Sequence, residues 1–125
     1  MSRVKVTLEF TVRSTPNFLF NFLSTPSGLA QWFADHVDIN ENIYSFTWDG
    51  QVEEAEVLES EENSFIRFRM EENEEEEYLE FRITKSEVTG DTVLLVTEFL
   101  DDDEVDNQKQ LWDTQIDALI ARVGG

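Results

Sequence analysis

Cysteine is absent from the sequence, which excludes a disulfide framework, thiolate-held metals and thiol nucleophiles together. Histidine occurs once, as His36. One imidazole without a second His or a Cys does not make a typical transition-metal site, so no metal and no cofactor is expected. Basic residues are scarce: 9 Lys and Arg stand against 28 Asp and Glu, a net charge of -19. Each contact with a nucleic-acid phosphate needs a cation to displace counterions, so nucleic acid and anionic membrane are poor partners. No stretch reaches the roughly 18 apolar residues that span a bilayer. Met1 to Val12 alternate where a signal peptide would run continuously apolar, and a cytoplasmic address is expected.

What the chain does have is aromatic area. Acidity with few aromatics reads as disorder, but ten Phe and three Trp supply ample surface to bury. The 125 residues suit one domain, 1–125, with the acid decorating a folded surface.

Val4, Val6, Leu8, Phe10 and Val12 alternate with polar residues, the period of a strand buried on one face. Ser14 or Thr15 offers a hydroxyl cap and Pro16 suits a first helical turn, after which Phe18, Leu19, Phe22 and Leu23 recur at helical spacing. Thr25-Pro26 breaks that helix, Ser27 offers a second cap, and Leu29, Trp32 and Phe33 form the stripe of a second short helix. Tyr44, Phe46 and Trp48 then alternate up to Asp49-Gly50, a pair that favours a tight hairpin turn. Further strands are expected over Val52 to Leu58, around Ile66, Phe68 and Met70, around Leu79, Phe81 and Ile83, and over Val93 to Leu100. Glu71 to Glu77 reads as a solvated hairpin loop, and Asp101 to Asp106 as capping residues whose charge suits a helix N-terminus. Trp112, Ile116, Leu119, Ile120 and Val123 line one face of a long final helix ended by Gly124-Gly125.

The run Ser24-Thr25-Pro26-Ser27-Gly28-Leu29-Ala30-Gln31-Trp32-Phe33, the later Trp48-Asp49-Gly50, and Leu111-Trp112 with Leu119 resemble the START-like superfamily, in its branch similar to activators of the Hsp90 chaperone ATPase. The resemblance spans nearly the whole chain. It implies an α+β helix-grip fold: a curved antiparallel sheet of about six or seven strands around the long C-terminal helix, with two short helices after the first strand. Relatives use the cavity between sheet and helix for lipids, polyketides, hormones or partner proteins, so the fold implies no single activity. Where many relatives end a late strand with a histidine, this chain has Glu98.

Phe33, Phe46, Trp48, Phe68, Met70, Phe81, Trp112 and Ile116 fall on candidate inner faces. They line an apolar ligand cavity or fill an ordinary core; sequence does not measure a void. Between Val93 and Leu100 both parities are apolar, so Glu98 faces either the cavity, with Leu94 and Val96, or water. Inside an apolar cavity a carboxylate needs a partner or a raised pKa. In the first case Val93, Leu95 and Phe99 form an outward stripe that a weak homodimer would cover. His36 is expected to sit at a helix end, where a cation suits the dipole. Three functions follow in order: binding of a small apolar or amphipathic molecule; a protein-interaction module with a basic partner; and a cyclase- or hydratase-like enzyme using Glu98.

Overall fold

A computed structural model describes residues 2–123; the expected stop at Gly124-Gly125 lies outside them. Strand β1 (Arg3–Val12) is followed by helices α1 (Pro16–Ser24) and α2 (Pro26–Leu29). Strands β2 (His36–Asn40), β3 (Ile43–Trp48), β4 (Gln51–Glu61), β5 (Phe65–Arg69), β6 (Leu79–Lys85) and β7 (Thr92–Asp101) come next, and then α3 (Val105–Val123). The seven strands form one antiparallel sheet in the order β1-β7-β6-β5-β4-β3-β2. The first strand thus pairs with the last, and the helix pair carries the chain from one sheet edge to the other. This is the helix-grip arrangement expected from the sequence.

Local chemistry sets the helix pair. Thr15 caps α1, its hydroxyl accepting from the Phe18 N–H, and Pro16 occupies the first turn. The second cap is Thr25 and not Ser27: its hydroxyl accepts from the Gly28 N–H at 3.0 Å while donating to the Asn21 carbonyl at 2.7 Å. Pro26, which has no N–H to lose, therefore starts α2 and leaves Ser27 inside it. Gly28 lies where the helices meet. A Cβ there would sit 2.1 Å from the Asn21 carbonyl oxygen and 2.7 Å from the Phe22 Cα, closer than any side chain can approach.

Asp49 and Gly50 take φ of 50° and 78°, the left-handed pair of a two-residue hairpin turn. That turn opposes Trp48 to Gln51 and so fixes Phe46 opposite Glu53. On the sheet face covered by α3, Phe46, Phe68, Phe81, Leu94 and Val96 are wholly buried beneath Trp112, Ile116 and Leu119. Trp32 donates its indole N–H to the Phe22 carbonyl at 2.7 Å, and Tyr44 donates its hydroxyl to the Ser24 carbonyl. The core's polar tips are thereby satisfied, as burial requires.

The outer face is built differently. Glu80 accepts from Arg67 at 2.6 Å and from Arg82 at 3.1 Å. Arg67 lies over the Tyr78 ring at 4.2 Å, Arg82 over the Phe65 ring at 4.3 Å, and Tyr78 packs edge-on against Phe99. Guanidinium groups stack on aromatic faces in this way. Consequently the stripe expected to be bare is largely covered by its own chain: Val93 and Thr97 are buried, and Leu95 and Phe99 half-buried. That stripe therefore offers a second copy little bare apolar surface.

Three local expectations change. Glu71 to Glu77 does connect β5 to β6, but Glu77 is buried and held bidentately by Arg3, at 2.6 and 3.1 Å. Asp101 makes no side-chain cap; it lies 3.6 Å from Arg3, ahead of a 3-10 turn at Asp102–Glu104 that leads into α3. His36 opens β2 and is exposed, seven residues beyond the last residue of α2, so it is not part of that helix's end.

Candidate functional site

Helix α3 serves two purposes along its length. Ile116, Leu119 and Val123 are buried against the sheet and the helix pair. One to two turns earlier, Gln108, Leu111, Trp112 and Gln115 recur on one face at helical spacing and look into a cavity of about 290 Å³. Opposite them stand Trp48 and Glu53 from the β3–β4 hairpin, and Met70, Glu72 and Asn73 at the start of the β5–β6 loop. Phe33 forms the floor, and Tyr78, Leu79, Glu98 and Phe99 the remaining wall.

The floor is rigid for a simple reason. The Phe33 carbonyl accepts from the Trp48 indole at 2.6 Å and from the Gln115 amide at 3.4 Å, tying the turn after α2 to β3 and α3. The Phe33 ring stacks on Trp112 with centroids 6.0 Å apart and meets Trp48 edge-on at 5.3 Å. Aromatic pairs of these geometries add to what burial alone provides.

Glu98 points to the cavity side. Its carboxylate accepts from the Trp112 indole at 2.6 Å and from the Gln108 amide at 3.3 Å. Burial pushes its pKa above the usual carboxylate range, and the two donors only partly restore the charge. Across the cavity Glu53 is pushed up to about 8, first by burial and then by a proton shared with Glu72 and by that neighbour's charge. The Glu71 backbone N–H, which donates to Glu53 at 3.3 Å, pulls the other way and outweighs the repulsion from the Glu71 carboxylate. Three carboxyl groups thus line the cavity, and no basic side chain does among the described residues.

Of the residues singled out from sequence, Phe33, Trp48, Met70, Glu98 and Trp112 reach the cavity. Phe46, Phe68, Phe81 and Ile116 do not: each is at most 1% exposed and is packed deeper, where helix and sheet close on one another. Glu53, Glu72 and Gln108 were missed. For Glu53 a signal existed, since a two-residue turn at Asp49-Gly50 places it opposite Phe46 and hence on the inner face. The amide-bearing Gln108 and Gln115 lie four before and three after Trp112, a spacing that marks them as its face neighbours. Glu72 belongs to an irregular loop and carried no such mark.

The START-like superfamily domain profile matches residues 1–125. A solved structure from Bacteroides fragilis, determined by solution NMR, is 38% identical with a TM-score of 0.68, covering 100% of this chain and 93% of its own. The Aha1 dimer from Colwellia psychrerythraea superposes with a TM-score of 0.78 at 15% identity, over 96% of each chain. DynU16, a protein of the dynemicin biosynthetic locus, has a TM-score of 0.78 at 20% identity, over 94% of this chain and 46% of its own. No curated protein matches significantly. Among the described residues no helix is long and apolar enough to cross a membrane.

Proposed function

The chain belongs to the START-like superfamily, and from that premise we propose that it binds a small amphipathic molecule between the sheet and the first half of α3. The observation that carries this reading is the contrast inside one interior. The deeper aromatic residues are wholly covered, while Phe33, Trp48, Met70 and Trp112 border about 290 Å³ of open space. Ligand sites combine such apolar walls with a few placed polar groups, here Glu98, Gln108, Gln115 and Glu53. An enzyme of cyclase or hydratase type would need a second titrating group against Glu98. Its bonded partners are an indole and an amide, neither of which exchanges a proton near neutrality; Glu53, which does, borders the same cavity but is not among them.

A second reading, docking of a protein segment at the same mouth, draws on Leu111 and Val52, which are 49% and 61% exposed. Leu111 borders the cavity itself, and Val52 the adjoining groove that also holds Glu53 and Glu72. Titration with the neutral probe 4-phenylbutanol, followed by NMR, tests the cavity reading. The indole N–H signals of Trp48 and Trp112 should move while that of Trp32, turned to the Phe22 carbonyl, stays. If none of the three responds, the cavity reading is wrong.

A further inference from the structure

The aromatic walls, the open volume and the placement of the acids go further than an unspecified amphipathic ligand. We propose that the cavity selects an organic ammonium: an apolar body seated between Trp48, Phe33 and Trp112, with a protonated amine directed to Glu98 on one side or Glu53 and Glu72 on the other. This deepens the cavity reading and rests on it.

Three observations converge. The carboxyl groups come from three separate elements, β4, the β5–β6 loop and β7, and all border the same space. They lack an internal counter-charge: Glu98 has only neutral donors, and Glu53 meets Glu71 and Glu72. By contrast the buried Glu77 and Glu80 each have an arginine within 2.6 Å. A protein that spends arginines on its outer-face acids and none on its cavity acids leaves that charge for something else to meet.

Geometry decides which cation. A metal ion needs several oxygens converging on a point, and among the described residues the acidic group that converges so, within 4.8 Å, is Asp101, Asp103 and Glu104, away from this cavity. The cavity acids are spread around aromatic faces instead. Dispersed carboxylates over indole and phenyl rings suit a bulky ammonium, which gains from ring quadrupoles as well as from ion pairing. Burial has already raised the pKa of both Glu98 and Glu53. An ammonium arriving beside Glu53, which is pushed up to about 8 and so keeps its proton near neutrality, therefore lowers its pKa and releases that proton.

The test compares 4-phenylbutylamine with 4-phenylbutanol by calorimetry near neutral pH and by the same indole signals. The amine should bind about tenfold or more tightly than the alcohol, with the advantage shrinking at high salt. In buffers of different ionisation enthalpy, amine binding should release protons and alcohol binding should not. The double substitution Glu53→Gln and Glu98→Gln should bring the amine's Kd to that of the alcohol, whereas Glu9→Gln, on the exposed face of β1, should keep the parent ratio. Should the alcohol bind and the amine bind no better, ammonium selection fails while the cavity reading stands. Should neither probe move the indoles, both fall. An amine advantage that survives the double substitution would place the attraction elsewhere on the surface and overturn the inference.

Discussion

Two sets of carboxyl groups in this molecule, one buried and one half-buried, meet opposite fates. Glu77 and Glu80, against the outer face, are held by arginines. Hydrogen bonds from Arg3 bring Glu77 below the usual range. Burial alone would raise Glu80, but Arg82 and Arg67 together carry it below as well. Glu98 and Glu53, at the mouth between α3 and the sheet, have neutral donors or other acids for company and are raised. The first set behaves as a structural fastening, because a buried charge with a bonded partner stays charged. The second behaves as an unsatisfied site, since perturbed groups in a cleft are where ligands and chemistry concentrate.

The largest effect expected comes from removing the residue that separates mouth from core. Trp112→Ala deletes a side chain 2% exposed that contacts Phe33 and Phe81 and donates to Glu98. A loss of about 3–5 kcal/mol is the range for a buried large aromatic. A urea midpoint equal to the parent's would show that the mouth is not anchored to the core.

Titration separates the two sets of acids. For Glu77 and Glu80 the folded pKa lies below the unfolded one, so their contribution is present above the ordinary 4.5 and is lost as pH falls through the lowered values. For Glu53 the folded pKa lies above, so stability is greatest below 4.5 and declines as pH rises toward about 8. Glu53→Gln should flatten thermal stability across that interval and raise the melting temperature at its alkaline end. Glu80→Gln should destabilise at neutral pH, because the amide keeps one acceptor oxygen but removes the charge and the second oxygen that Arg67 and Arg82 share. If both substitutions shift stability in the same direction, the two sets are not distinct.

The smallest effect is that of salt. With a net charge of -19, self-repulsion weakens when the Debye length falls to about 10 Å near 0.1 M, so sodium chloride should raise the melting temperature modestly. A fall would mean that the arginine fastenings outweigh the repulsion of the remaining acids.

How much of this was legible in the sequence differs by region. The alternation in β1, the hydroxyl and proline at Thr15-Pro16, and the turn at Asp49-Gly50 act over a few residues, and pattern alone locates them. The fates of Glu72 and Glu77 were not legible. They sit in one glutamate run, yet Glu77 is fixed by Arg3, 74 residues away, while Glu72 faces Glu53. Likewise Phe46, Phe68 and Phe81 share their residue type with Phe33. What sorts wall from filling is depth along α3, a sum over packed volumes that no local pattern contains.

The pairing of β1 with β7, Phe10 opposite Leu94 and Arg3 opposite Asp101, has a consequence in time. Strand β1 is the first to be synthesised and has no other strand beside it, so through most of translation its apolar alternation waits without a partner. Closing a loop of that length precedes any reward from the contacts it brings, which places such topologies among the slower two-state folders. The sheet's β1 edge is therefore sealed late, after the meander from β2 to β6 has had its chance to form, and until then the growing chain depends on its own acidity to stay apart from its neighbours.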